Sequence, residues 1–85
     1  MDRNIIKTKL ENILKDKFEI ADNILIDENY DSPLTGKIFR FNNIQMVYLL
    51  LESEKLFCIH IPIEKLKNKG FYTVNAIVDT VADLT

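Results

Sequence analysis

The 85-residue chain has one cysteine, one histidine, no tryptophan, two glycines and two prolines. A lone cysteine, Cys58, excludes a disulfide within the chain and fits a reducing compartment. With His60 as the only histidine, a zinc site inside one subunit would have to draw its remaining ligands from carboxylates. Two glycines leave no material for a glycine-rich phosphate loop. Neither sign of charge dominates: 11 basic residues against 13 acidic ones give a formal net charge of −2. The charges are interspersed, with no basic stripe for nucleic acid or an anionic membrane. No apolar run approaches the length of a membrane span. The opening MDRNIIKTKL has charge but no continuous apolar stretch behind it, unlike a signal peptide. The expectation from these absences is a cytoplasmic protein with no nucleic-acid and no membrane partner.

What the chain does have is enough apolar residue for one core. An apolar fraction of 47% and a charged fraction of 28% argue against disorder. Residues 1–85 make one domain. A domain of this size folds alone with only about 3–5 kcal/mol to spare. Residues 3 to 17 read as a first helix, with Ile6, Leu10, Ile13, Leu14 and Phe18 at helical spacing and Asp2 or Asn4 as its cap. Residues 19 to 41 form a long connection. In it Asp27, Glu28, Asn29, Asp31 and Ser32 are turn formers, and Pro33 and Gly36 punctuate the next stretch. Ile20, Ile24 and Ile26 are apolar enough to pack on the bundle, and Leu34, Ile38, Phe39 and Phe41 tuck against the core.

The stretch from Asn42 to Pro62 organises the rest. Asn42 is an N-cap with Gln45 three positions on, the start of a capping box. Ile44, Val47, Leu50, Leu51 and Phe57 are read as its inward residues. Met46, Tyr48, Leu49 and Leu56 fall on the remaining sides. A helix with so little polar face is either central to a small bundle or buries one side against a partner. Pro62 then opens a short third helix, and Lys67-Asn68-Lys69-Gly70 stops it. Thr73 caps a final helix over 74 to 83 with an apolar stripe of Val74, Ile77, Val78 and Val81. With Ile61, the apolar stripes of the first, central and last helices make the expected core.

The central helix and its exit, Phe57-Cys58-Ile59-His60-Ile61-Pro62, resemble the second helix of an acyl carrier protein. In that family an Asp-Ser-Leu triplet opens the helix and a Phe-x-Ile-x-Ile-Pro-like segment leaves it. Phe71-Tyr72-Thr73-Val74 is similar to the family's Thr-Val approach to its last helix. The order of elements covers most of the chain. The resemblance implies an all-α, acyl-carrier-protein-like four-helix bundle with a long first loop and a short third helix. By the family's spacing the triplet falls on Asn42-Asn43-Ile44. The serine that would carry 4'-phosphopantetheine is therefore Asn43, whose amide cannot form the phosphodiester. A narrower segment, Pro33 to Lys55, resembles the acyl-carrier-related proteins of bacterial peptide maturation systems.

The function implied is a docking or adaptor protein, not an enzyme. It would serve enzymes of an acyl- or peptide-modifying pathway, use no cofactor, and exist as a monomer or weak homodimer. The outward positions of a carrier's second helix correspond to Gln45, Tyr48, Glu52, Glu54, Lys55 and Leu56, and Leu49 adds apolar area; the expected partner-binding residues are Gln45, Tyr48, Leu49, Glu52, Lys55 and Leu56. Acid is kept in the second half of that face and lost in the first. Two alternatives stand beside this reading. Asp31-Ser32-Pro33-Leu34 resembles Asp-Ser-Leu with an inserted proline, so a working acyl or peptidyl carrier would take its phosphopantetheine at Ser32. Against that, Pro and Gly within four residues indicate a turn and not a helix start. Cys58 and His60, two apart on an extended exit and so on one face, are expected as a half-buried pair at the bundle edge. They would serve a redox- or metal-responsive dimer. Asp27, Glu28 and Asp31 lack the spacing of a calcium-binding helix-loop-helix and read as solvated turn residues.

Overall fold

A computed structural model describes residues 2–68 and 70–85; Lys69, read above as part of the stop after the third helix, lies outside them. The order is α1 (Arg3–Phe18), a short 3-10 turn (Asp27–Asn29), α2 (Asn43–Phe57), α3 (Ile63–Lys67) and α4 (Val74–Leu84). The architecture is all-helical, with four helices and no strand among the described residues.

The caps lie where the sequence puts them. Asp2 accepts from the Asn4 N–H at 2.8 Å and starts α1. The Thr73 hydroxyl accepts from the Ala76 N–H at 3.0 Å and starts α4. Pro62 precedes the first residue of α3, where its missing N–H costs nothing. At the far end of α3 the Gly70 carbonyl accepts from the Thr80 hydroxyl at 2.7 Å. The Gly70 N–H reaches the Lys65 carbonyl. A Cβ at position 70 would fall 2.6 Å from that carbonyl oxygen, so glycine is required by close approach.

The first and last helices pack on each other. α1 buries Ile6, Leu10, Ile13 and Leu14, and α4 buries Val74, Ile77, Val78 and Val81. These are the two stripes that helical spacing predicts. The exposed rim of this pair carries ion pairs, Arg3 with Asp79 among them.

The connection between α1 and α2 is not loosely draped. Tyr30 and Leu34 have no exposed surface, and Phe39 and Phe41 are buried beside them. Two backbone bonds fasten this segment to the start of α4: the Leu34 N–H donates to the Tyr72 carbonyl at 2.9 Å, and the Asn75 N–H to the Tyr30 carbonyl at 3.0 Å. Phe41 N–H returns to the Leu34 carbonyl, which closes residues 34–41 into a loop. Ile26 and Ile38 are exposed, against the expectation that they pack inward, because the turns on either side direct them to solvent; Ile20 and Ile24 are half-buried as expected. Tyr30 is a core residue that the sequence reading did not offer. Its hydroxyl donates to Glu11 on α1. Burial, then the hydrogen bond and charge of Glu11, hold the phenol well above the ordinary tyrosine value.

Candidate functional site

The second helix begins as its sequence dictates. The Asn42 side chain accepts from the Gln45 N–H at 2.8 Å, and the Gln45 side chain accepts from the Asn42 N–H at 2.9 Å, a complete capping box. Asn43 is therefore the first helical residue, and it is exposed. Two residues before the cap, Arg40 adopts a left-handed conformation at φ 57°. This turns the chain from the buried Phe41 loop into the helix.

The helix is rotated relative to the expectation. Its buried line runs through Leu49, Ser53 and Phe57, with Met46 and Leu50 half-buried beside it. Ile44, Val47 and Leu51, read as core, are instead 80%, 56% and 58% exposed. Leu49, read as a partner-facing residue, has no exposed surface. The physical reason lies in the spacing. Ile44 and Phe57 are thirteen positions apart, which at 3.6 residues per turn sets them about 140° apart around the helix. Both cannot face one core. Phe57 wins because a buried aromatic contributes more than an aliphatic side chain and because the Ile-Pro exit follows it inward. Ser53 hid this choice: a serine in the middle of the buried line reads as surface. Its hydroxyl is buried without a hydrogen-bond partner.

Ile44, Val47, Tyr48 and Leu51 thus form an apolar ridge that starts beside Asn43. With Asn43 they line a shallow groove of about 410 Å³. On the other flank, Val47 also borders a groove of about 280 Å³ with Met46, Leu50, Leu66, Phe71 and Tyr72. The two grooves share Val47, so the apolar surface is continuous from α2 to α3 and the start of α4. Tyr48 is 41% exposed and is fixed by its ring contact with Phe18, centroids 5.2 Å apart. Phe18 in turn stacks on Phe41 at 4.9 Å. Of the ridge residues, Tyr48 therefore rests on the Phe18–Phe41 stack.

Of the other expected partner-binding residues, Lys55 and Leu56 are exposed, while Gln45 and Glu52 are half-buried. Gln45 is committed to the capping box. Leu56 lies apart from the ridge and lines a third groove with Ile13 and Lys17 of α1. Ser32 is half-buried in a turn whose N–H is bonded to the Asn29 carbonyl at 3.1 Å, and it opens no helix.

Cys58 and His60 do not form the half-buried pair expected of them; both are exposed. The cause is Cys58 at the end of α2, where it takes a left-handed conformation at φ 55° and turns outward. Glu54 organises this exit. Its carboxylate accepts from the Ile61 N–H at 2.8 Å and lies 3.2 Å from His60 Nδ1. Among the described residues, no three Cys, His, Asp or Glu side chains gather in a metal-binding cluster. Likewise, no helix is long and apolar enough to cross a membrane.

The chain was compared with known protein families, with characterised proteins and with solved structures, and none matches it.

Proposed function

We propose that this chain is an acyl-carrier-like domain that lacks the phosphopantetheine serine and acts as a non-catalytic docking protein for enzymes of an acyl- or peptide-modifying pathway. The observation that carries the reading is the apolar ridge of Ile44, Val47, Tyr48 and Leu51, which starts at the position a carrier would modify. A monomeric surface seldom leaves a helix face this apolar unless something covers it. The order of elements, a long connection and a short third helix before a Thr-capped last helix, supports a carrier-like bundle. Asn43 is exposed at the first residue of α2, where its amide offers no hydroxyl for esterification. An apolar docking face suits a longer-lived complex than the acidic face of a shuttling carrier, because its contacts need water-free packing and not charge alone.

The test has two arms. Intact mass is measured after incubation with coenzyme A and a broad-specificity phosphopantetheinyl transferase, and on protein from its own host. No increment is expected; an increment mapped to Ser32 or any other serine would overturn the reading and make the chain a carrier. In the second arm, tagged chain is recovered from its host. Wild type and Ser32→Ala are expected to hold the same modifying enzyme, and Val47→Glu is expected to lose it. Loss of that enzyme in Ser32→Ala, or its retention in Val47→Glu, counts against docking through α2.

A further inference from the structure

We propose that α2 is a hinged flap: it opens as a unit from a fixed frame made of α1, the connection as far as Leu34, and α4, and Glu54 is the catch that holds it closed. The inference goes beyond the docking reading and does not depend on it, because it concerns which part of the fold moves.

The frame is fastened by polar contacts that cross between its parts. Tyr30, with no exposed surface, donates its hydroxyl to Glu11 on α1 and accepts at its carbonyl from the Asn75 N–H of α4. The Asn75 side chain also donates to Asp31 at 2.8 Å. Lys7 of α1 donates to Asp27 at 3.0 Å. The Leu34 N–H is bonded to the Tyr72 carbonyl just ahead of α4. α3 joins the same frame through Lys65, 3.0 Å from Asp83, and through the bond from Thr80 to Gly70. α1 with α4 is also the extensive helix pair of the fold, and α2 meets the other helices only sparsely.

α2 is attached differently. Among the described residues, no hydrogen bond or ion pair joins it to α1 or α4. Its polar contacts close on its own cap and on its exit, where the Glu54 carboxylate takes the N–H of buried Ile61. Three of the 15 residues of α2 are buried, against five of the 11 in α4. One of those three is Ser53, whose unpartnered hydroxyl regains water when the helix opens. Ile44, Val47 and Leu51 are already largely in water, so opening adds little apolar exposure there. Both ends of α2 are placed to turn. Of the three non-glycine residues at positive φ among those described, two bound this helix, Arg40 at 57° and Cys58 at 55°. That conformation is disfavoured for a residue with a Cβ, so opening relaxes both, and hinges fall at such element-terminal positions. An element with few buried apolar contacts opens at a lower free energy than the whole domain. The open state uncovers Leu49, Phe57 and the frame beneath them, and a ligand that prefers either state sets the balance between them.

Native-state amide hydrogen exchange, followed by NMR in low urea, tests the proposal. The amides from Leu49 to Phe57 are expected to share one opening, at least about tenfold more frequent than the one that exposes Leu10, Leu14, Val78 and Val81. Its urea slope is expected to be smaller than the global slope but not zero, which separates a cooperative flap from fraying. Ile77→Val, in the inner stripe of α4, is expected to speed exchange in α1 and α4 roughly two- to tenfold and to leave α2 unchanged, because the frame stays intact while the flap is open. Glu54→Leu, which removes the acceptor for the Ile61 N–H, is expected to speed exchange in α2; Glu54→Gln, which keeps an acceptor oxygen, restores most of the protection. A single level of protection across all three helices, equal acceleration of α2 by Ile77→Val, or α2 exchange unmoved by Glu54→Leu overturns the proposal.

Discussion

Replacing Leu49 by alanine removes a side chain with no exposed surface from the middle of α2. Replacing Leu51, two residues on, removes one that is 58% exposed on the opposite side of the same helix. Backbone, residue type and helix propensity are matched, so the pair isolates burial. A buried leucine truncated to alanine costs about 2–5 kcal/mol, depending on how far the site collapses. The whole domain is held by about 0.05–0.15 kcal/mol per residue, so Leu49→Ala consumes a large share of its stability. At Leu51 the lost contacts are few, and the better helix propensity of alanine offsets a few tenths of a kcal/mol. Its change should stay within about 0.5 kcal/mol. Urea unfolding followed by helical circular dichroism reads both. With a slope near about 1 kcal/mol per molar for so small a protein, Leu49→Ala shifts the midpoint down by about 2 M or more, or leaves the chain unfolded from the start. The series is run at low-micromolar protein, where contacts between copies do not add to the Leu51 result. Equal shifts, or a larger one for Leu51→Ala, would mean that α2 faces the core with its other side and that the ridge does not exist.

Three further outcomes follow from local geometry. The Tyr30 phenol stays protonated in the folded state well above its ordinary value of 10.0. Below that value both states are protonated and its contribution is intact. Above it the unfolded chain ionises first, so stability falls by up to about 1.4 kcal/mol per pH unit. Urea midpoints on either side of that value should show this slope in wild type and a shallower one in Tyr30→Phe; equal slopes would assign the titration to another group. Cys58→Gly relieves a left-handed conformation that costs a residue with a Cβ about 1–2 kcal/mol. A net gain of about 1 kcal/mol corresponds to a melting temperature higher by about 4–8 °C in calorimetry; a decrease would show that the Cys58 Sγ contact to the Lys55 carbonyl matters more than backbone strain. Asn42→Ala deletes the bond to the Gln45 N–H and should cost about 0.5–2 kcal/mol in chemical denaturation. The Gln45 side chain can still reach the backbone of residue 42 in that variant, so a larger loss would point to disruption of the Phe41 loop as well.

The sequence was most legible where polar and apolar residues separate cleanly. α1 has one apolar stripe on a polar helix, and Ile6, Leu10, Ile13 and Leu14 go inward as their spacing requires. The same holds for the valine and isoleucine stripe of α4. Caps were legible because Asp2, Asn42 and Thr73 act on backbone N–H groups two or three residues away, within reach of local chemistry. α2 was legible as a helix but not in its rotation. It carries aliphatic residues on both sides, and its core contains Ser53 while its surface contains Ile44. Only the packed neighbours decide between the two faces. Tyr30 was missed for a related reason. It lies among Asp27, Glu28, Asn29 and Asp31, and nothing local signals that the ring turns inward toward Glu11 on α1. The candidate site inherits the same history. Position 43 follows from the cap at Asn42 and from the resemblance to carrier proteins, while the ridge beside it depends on how the helix is turned.

The packing of α1 against α4 has a consequence for how the chain is made. During synthesis α1 emerges with its inner stripe uncovered, and its partner is the last of the four helices to be made. The Tyr30–Leu34 segment waits as well, since its two backbone anchors lie at Tyr72 and Asn75. Folding cannot close gradually from the N-terminus; it closes when α4 arrives, as contacts between distant parts of a chain must. Until then the nascent chain shows apolar surface to the cell. A truncation that removes α4 would leave that nascent condition permanent and produce a chain for chaperones and proteases instead of a smaller version of the domain.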